Sequence, residues 1–273
     1  MNVKYNNDLR PNGRGTVLAI DMGNTNIVIG CVDKKGVLFE ERVSTDRSKT
    51  ELEYVVLFKT VLELHKIEAE EIQGAIISSV VPPLVNVLRE AVEKLVGVSP
   101  MIVGPGIKTG LNILMDQPRQ LGSDLVVDAV AAINGYGTPA IVIDIGTATT
   151  MSVIDRNGNY IGGQILPGVK ISLDSLVSGT SQLPRISLEA PGKVIGKNTV
   201  HCMQSGVVYG YACCIDGLIE RLAEEMKEPL CDIHVVATGG LSPVIVNECR
   251  HDITVDQELL LKGLKIIYDK NVE

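Results

Sequence analysis

The chain has 273 residues, 45% of them hydrophobic, and a formal net charge of −8. That is enough to fill one large core or two domains of about 130 residues. Its positive residues are dispersed, so there is no basic field to neutralise a nucleic-acid backbone, and no run approaches the roughly 18 apolar residues of a membrane span. The expectation is a cytoplasmic protein with neither a polynucleotide nor a membrane as partner.

Residues 1–15 are polar, hold Asn-Asn and Pro-Asn-Gly, and read as a flexible leader. An apolar strand follows, Val17-Leu18-Ala19-Ile20-Asp21, stopping at an aspartate before Met22-Gly23-Asn24-Thr25-Asn26. A second apolar stretch over 27–33 and a Lys34-Lys35-Gly36 turn complete a β-hairpin, and 37–43 continue it. Thr50 and Glu53 have the spacing of a capping box and open an amphipathic helix to about His65. Residues 74–81 form a buried-strand run, Pro82-Pro83 starts a helix to about Val96, and 101–103 are a short strand. A Gly/Pro-rich linker occupies 104–120, and a helix over 123–134 joins the two halves.

The second half repeats the scheme. Its hairpin starts with Ala140-Ile141-Val142-Ile143-Asp144-Ile145-Gly146-Thr147-Ala148-Thr149, continues over 151–155 and turns at Arg156-Asn157-Gly158-Asn159. A Gly/Pro/Ser-rich loop is expected over 162–196, a long helix over 199–225, a strand over 233–237, a Thr238-Gly239-Gly240 turn and closing helices. Hairpins followed by alternating strands and helices imply an α/β fold with a mixed sheet in each of two domains, 16–122 and 123–273. A buried strand that delivers a carboxylate to a glycine turn is a chemically sensible holder for a phosphate and its cation. Two such devices imply a cleft between related halves.

The six cysteines, Cys31, Cys202, Cys213, Cys214, Cys231 and Cys249, never fall at C-x-x-C spacing and read as small reduced core residues, the adjacent Cys213-Cys214 pair included. The four histidines are scattered, with no transition-metal constellation.

The paired Asp-x-Gly turns with a late Thr-Gly-Gly resemble the superfamily of acetate and sugar kinases, heat-shock ATPases and actin, whose two ribonuclease-H-like domains clasp a nucleotide. Within it, the chain is similar to type III pantothenate kinases from about Val17 to Asn271. The resemblance rests on the two turns and on Gly104-Pro105-Gly106, Lys108-Thr109-Gly110, Gly122-Ser123-Asp124, Pro167-Gly168, Leu183-Pro184, Gly196-Lys197-Asn198-Thr199-Val200 and Thr238-Gly239-Gly240. It implies ATP-dependent phosphorylation of the primary hydroxyl of pantothenate, the first step toward coenzyme A, by a homodimer.

The same resemblance implies the site. Asp21, Met22, Gly23, Asn24, Thr25, Asn26, Ile27 and Val28 would form the first phosphate loop, with Asp21 holding Mg2+ directly or through water, and Asn24 and Thr25 donating to phosphate oxygens. Thr147 would contact the nucleotide, Asp144 would bind a monovalent cation, K+ or NH4+, and Gly239-Gly240 would lie near the adenosine. Asp124 matches the catalytic aspartate; at the start of a helix, orphan N–H groups and the dipole would hold it ionised near the usual carboxylate value. Asp128, one turn on, reads as a bystander or fine adjuster.

Gly122, Ser123, Asp124, Leu125, Met115 and Thr199 correspond to the substrate contacts, with two departures. Where the family has Gly-Ala-Asp-Arg this chain reads Gly122-Ser123-Asp124-Leu125, and Met115 replaces a tyrosine. Lys170 is a possible substitute cation. Thr199 is read either as a substrate contact or as the cap of its helix. Gly206, Gly210 and Gly217 would permit close helix approach at a dimer interface. The departures leave two alternatives: a kinase for another small alcohol, or a catalytically impaired nucleotide-binding or regulatory relative.

Overall fold

The computed structural model describes residues 15–272, so the expected leader lies outside the described residues apart from Gly15. The first unit opens with an antiparallel meander, β1 (Thr16–Met22), β2 (Asn26–Asp33) and β3 (Gly36–Ser44). Every residue of β1 is buried, as a central strand covered on both faces requires. The Asp33 carboxylate makes the β2–β3 turn by accepting from the N–H groups of Lys35 and Gly36. Helix α1 (Glu51–Leu64) starts at Thr50, whose N–H and hydroxyl donate to the Glu53 carboxylate at 2.7 and 2.8 Å. Strand β4 (Ile72–Ser79) then runs parallel to β1. Pro82 begins a single 3-10 turn before α2 (Val85–Val96), and β5 (Met101–Ile102) completes the order β3-β2-β1-β4-β5.

The second sheet has the order β11-β10-β7-β8-β9-β6. Its strands are β6 (Asn112–Ile113), β7 (Ala140–Ile145), β8 (Ala148–Ile154), β9 (Asn159–Pro167), β10 (His234–Thr238) and β11 (Thr254–Val255), and the remaining helices of the chain are α3 (Ser123–Gly135), α4 (Val169–Ser178), α5 (Thr199–Met226), α6 (Ser242–Val246) and α7 (Leu259–Val272). Strands β7, β8 and β9 repeat the meander of β1, β2 and β3, while β10 and β11 join in parallel as β4 and β5 do. The repeat seen in the Asp-x-Gly turns therefore extends to whole sheets.

Three expectations change. The loop expected over 162–196 is regular structure in its first half, because β9 runs on to Pro167 and α4 follows at once. Packing divides the chain differently from the expected 122/123 boundary: the first unit takes in Arg119–Ala131 and residues 258–272, the second Leu111–Pro118 and Ala132–Gln257. The reason in the first unit is α7, which lies against β1, β2 and β4, with Tyr268 directly over Gly74, the register partner of Val17. The cysteines are mostly exposed: Cys31 is buried and Cys249 half-buried, while Cys202, Cys213, Cys214 and Cys231 face outward. In α5 the buried stripe is Val208, Ala212, Ile215 and Ile219, which turns Cys213 and Cys214 to its flank.

Each unit has its own core. In the first, Leu18, Ile20 and Met22 pack with Tyr54 and Phe58 of α1 and Leu88 and Val92 of α2. In the second, Ile141, Ile143 and Ile145 pack with Val208, Ala212, Ile215 and Ile219 of α5. Phe58 is fully buried, so Phe58→Ala is expected to lower unfolding free energy by about 3–5 kcal/mol. A urea midpoint equal to that of wild type would show that this ring is not part of the core.

Candidate nucleotide and acceptor site

In the first unit the site is built on the carboxyl ends of β1 and β4. Asp21, 7% exposed, lies in register with Val28 of β2 and Ser78 of β4. The four residues beyond Met22 form a closed turn in which Gly23 N–H donates to Asn26 O at 3.0 Å, leaving Asn24, Thr25 and Asn26 exposed. Thr45 braces this turn twice: its N–H donates to Thr25 O at 2.9 Å and its hydroxyl to Gly23 O at 2.7 Å. Arg47 Nη2 donates to Asn24 Oδ1 at 3.1 Å. Neither brace was visible in the sequence, because the partners are about twenty residues apart and meet only when β3 returns along β2.

Helix α3 is tied to the same strand ends through Ser123. Its hydroxyl accepts from Ser78 Oγ at 2.9 Å and from Ser79 N–H at 3.2 Å, and donates to Ser79 O at 3.1 Å. Two accepted bonds and one donated bond exhaust what a hydroxyl can do. Since Ser78 is the register partner of Asp21, the turn of helix that carries Asp124 begins beside the strand end that carries Asp21. A Cβ at Gly122 would overlap Asp124 Oδ1, so a side chain there would have to displace the Asp124 carboxylate. Leu125 follows, half-buried, and its N–H donates to Asp124 Oδ1 at 2.9 Å.

Burial pushes the Asp124 carboxyl above its ordinary value of 3.8, outweighing the N–H groups of Leu125 and of Asp124 itself, which lower it. This corrects the expectation that the helix terminus keeps the group near its usual value. Desolvation dominates because the carboxylate is largely enclosed and no cation among its determinants offsets the loss of water. Asp128, one turn on, is 2% exposed and so belongs to the interior face of α3.

In the second unit the turn after Asp144 repeats the first with one residue fewer: Gly146 N–H donates to Ala148 O at 3.0 Å, and Thr147 is exposed at its tip. Asp144 is in register with Thr238 of β10, and its Oδ1 sits where a Cβ at Gly239 would be. With φ of +89°, Gly239 holds a conformation that other residues rarely adopt. Its carbonyl accepts from Ser242 Oγ at 2.8 Å and Gln257 Nε2 at 3.1 Å, which fixes the turn and leaves Gly240 exposed.

The remaining predicted contacts lie elsewhere in the second unit. Met115 is half-buried just after β6. Thr199 is exposed as the first residue of α5, and the cap is Asn198, whose Oδ1 accepts from His201 N–H at 2.9 Å. The capping alternative for Thr199 is thus corrected, since the hydroxyl of Thr199 is not the one that serves it. Lys170 is exposed in the first turn of α4. A cavity of about 550 Å3 lined by Tyr136, Cys231, His234 and His251 lies toward the amino end of β10, whereas Gly239 follows its carboxyl end. It includes none of the predicted site residues.

A family model described as type III pantothenate kinase matches residues 17–221. The chain belongs to the type III pantothenate kinase family. Membership supports a kinase-type phosphotransferase that uses ATP, typically with Mg2+, and a small-molecule acceptor. Solved structures similar to this pantothenate kinase family member include a Campylobacter jejuni protein assigned to the Baf family of transcriptional activators, at 22% identity over 93% of this chain and 98% of that one, TM-score 0.55. The (R)-2-hydroxyglutaryl-CoA dehydratase component A of Acidaminococcus fermentans is 14% identical over 94% and 99%, with a TM-score of 0.55. MreB 5 of Spiroplasma citri, bound to AMPPNP, is 11% identical over 96% and 99%, TM-score 0.57. Such identities speak to fold alone, and the fold is the actin-like ATPase fold with two ribonuclease-H-like domains, as the resemblance implied. Among the described residues no helix is long and apolar enough to cross a membrane.

The raised pKa of Asp124 has a measurable consequence for stability. A carboxyl raised by folding stabilises the protein fully below its unfolded pKa, and that contribution is lost as pH rises through the folded pKa. Relative to wild type, Asp124→Asn is therefore expected to gain stability as pH rises from below 3.8 toward neutrality. A urea-unfolding difference that stays constant across that window would contradict the burial argument.

Proposed function

We propose that the protein transfers the terminal phosphoryl group of ATP to the primary hydroxyl of pantothenate. The observation that carries this reading is a largely enclosed carboxylate of raised pKa, Asp124, held through Ser123 at the strand ends that also bear Asp21 and the first turn. In phosphoryl transfer the protein's work is positioning and charge stabilisation. Exposed Asn24, Thr25 and Thr147 supply donors for phosphate oxygens, and the turn at Gly239-Gly240 gives the adenosine a surface without side chains.

Asp21 offers a carboxylate of the kind that would hold Mg2+, directly or through water, and the ion would supply positive charge to offset that of the phosphates. Among the described residues no group of three or more His, Cys, Asp or Glu is arranged to hold a metal. Near Asp144, its register partner Thr150 has a buried hydroxyl oxygen without a hydrogen-bond partner among the described residues, a donor set of hard oxygens suited to K+ or NH4+.

Asp124 accepts the proton of the acceptor hydroxyl as its oxygen bonds to phosphorus and ADP leaves. The raised pKa makes it a better base than an ordinary aspartate. Thr199, free of the capping role, offers its hydroxyl to the substrate. Gly206, Gly210 and Gly217 of α5 face open space and suit close approach of a second copy in a homodimer completing the site. A second reading, a kinase for a less anionic alcohol, is favoured by Leu125 and Met115, which cannot make the polar contacts of the residues they replace. The third, a regulatory protein that binds nucleotide without turnover, predicts ATP binding and no transfer to any acceptor.

Purified protein with ATP, Mg2+ and K+ is expected to release ADP in a pantothenate-dependent manner. Asp124→Asn should lower kcat by about 10²–10⁴-fold with ATP affinity retained. ADP release indifferent to pantothenate but stimulated by another alcohol would select the second reading. Leu125→Arg should lower the KM for pantothenate by about tenfold or more, as expected for a charge-assisted hydrogen bond of about 1.5–3 kcal/mol. An unchanged KM would mean that position 125 does not meet the substrate's carboxylate.

A further inference from the structure

The connection between β3 and α1 is locked to the first turn by Thr45, and beyond that lock stands Arg47. Arg47 is exposed and gives Nη2 to Asn24 Oδ1 at 3.1 Å. An amide whose oxygen is engaged presents its N–H bonds on the opposite edge, so this contact decides which edge of Asn24 is the donor edge. Among the described residues Arg47 forms no ion pair. Its neighbour Asp46 is turned away, accepting from the N–H of Ser48 at 2.9 Å and its hydroxyl at 2.7 Å, while Asp46 O accepts from Tyr54 Oη. The guanidinium therefore keeps most of its five donors and its whole charge beside the turn. In a chain of net charge −8, such a cation at the turn that follows Asp21 is set to meet an anion.

We propose that Arg47 is a nucleotide-positioning residue, orienting the Asn24 amide toward the phosphate chain and supplying positive charge beside it. The inference rests on the kinase reading.

The test is a double-mutant cycle on the full chain, read as equilibrium affinity for ATP with Mg2+. Arg47→Ala is expected to weaken binding about tenfold, the scale of one charge-assisted hydrogen bond. Arg47→Lys should recover part of the loss, since the charge is kept and the planar fork is not. In the Asn24→Ala background the Arg47→Ala change should cost less than about threefold, because coupled residues are not additive. Should the alanine variant fail to fold, Arg47→Gln serves in the same cycle. Wild-type protein that binds no ATP overturns the kinase reading and this inference with it. Wild type that binds ATP, with Arg47→Ala within twofold of it or with equal losses in both backgrounds, overturns this inference alone.

Discussion

A carboxylate carried to the end of a buried strand is costly unless something rewards it, and the architecture of this protein follows from that cost. Asp21 is 7% exposed in a strand whose every other residue is buried. Its position is dictated by the sheet: β2 and β4 flank it, and a turn closed by Gly23 and Asn26 begins just beyond it. Asp144 repeats the arrangement in the second sheet, with the glycine turns after β7 and β10 beside it. Two unrelated strands ending this way would be a coincidence. Two sheets with matching strand order and direction make it a duplicated structural device.

The electrostatics of Asp124 show two effects competing at one helix start. Backbone N–H groups favour the carboxylate, and desolvation opposes it; burial wins in direction. The sequence showed the first effect, since an aspartate two residues after a glycine at a helix start is legible in the text. The second depends on how closely the surrounding chain encloses the side chain, which no local pattern encodes.

Much of the fold was legible because hairpins and capping boxes are local. The apolar stretch over 27–33, the Lys34-Lys35-Gly36 turn and the Thr50/Glu53 pair each specify structure within a few residues. Elements without such local signals were missed: β9 and α4 lie in a stretch rich in glycine and serine, and β11 is two residues long. The return of α7 to the first sheet and the exposure of Cys213 and Cys214 depend on tertiary packing. So do the braces from Thr45 and Arg47, which join positions about twenty residues apart. For the site, the motifs named the residues of each turn, while the contacts that orient them came from the structure.

The central claim is that the carboxylate at the end of β1 serves the cation that accompanies nucleotide. The most direct test compares the gain in ATP affinity on adding Mg2+ for wild type and for the nearly isosteric Asp21→Asn. The account predicts a clear gain for wild type and none for the variant, with both proteins folded. An equal Mg2+-dependent gain in the two would contradict it.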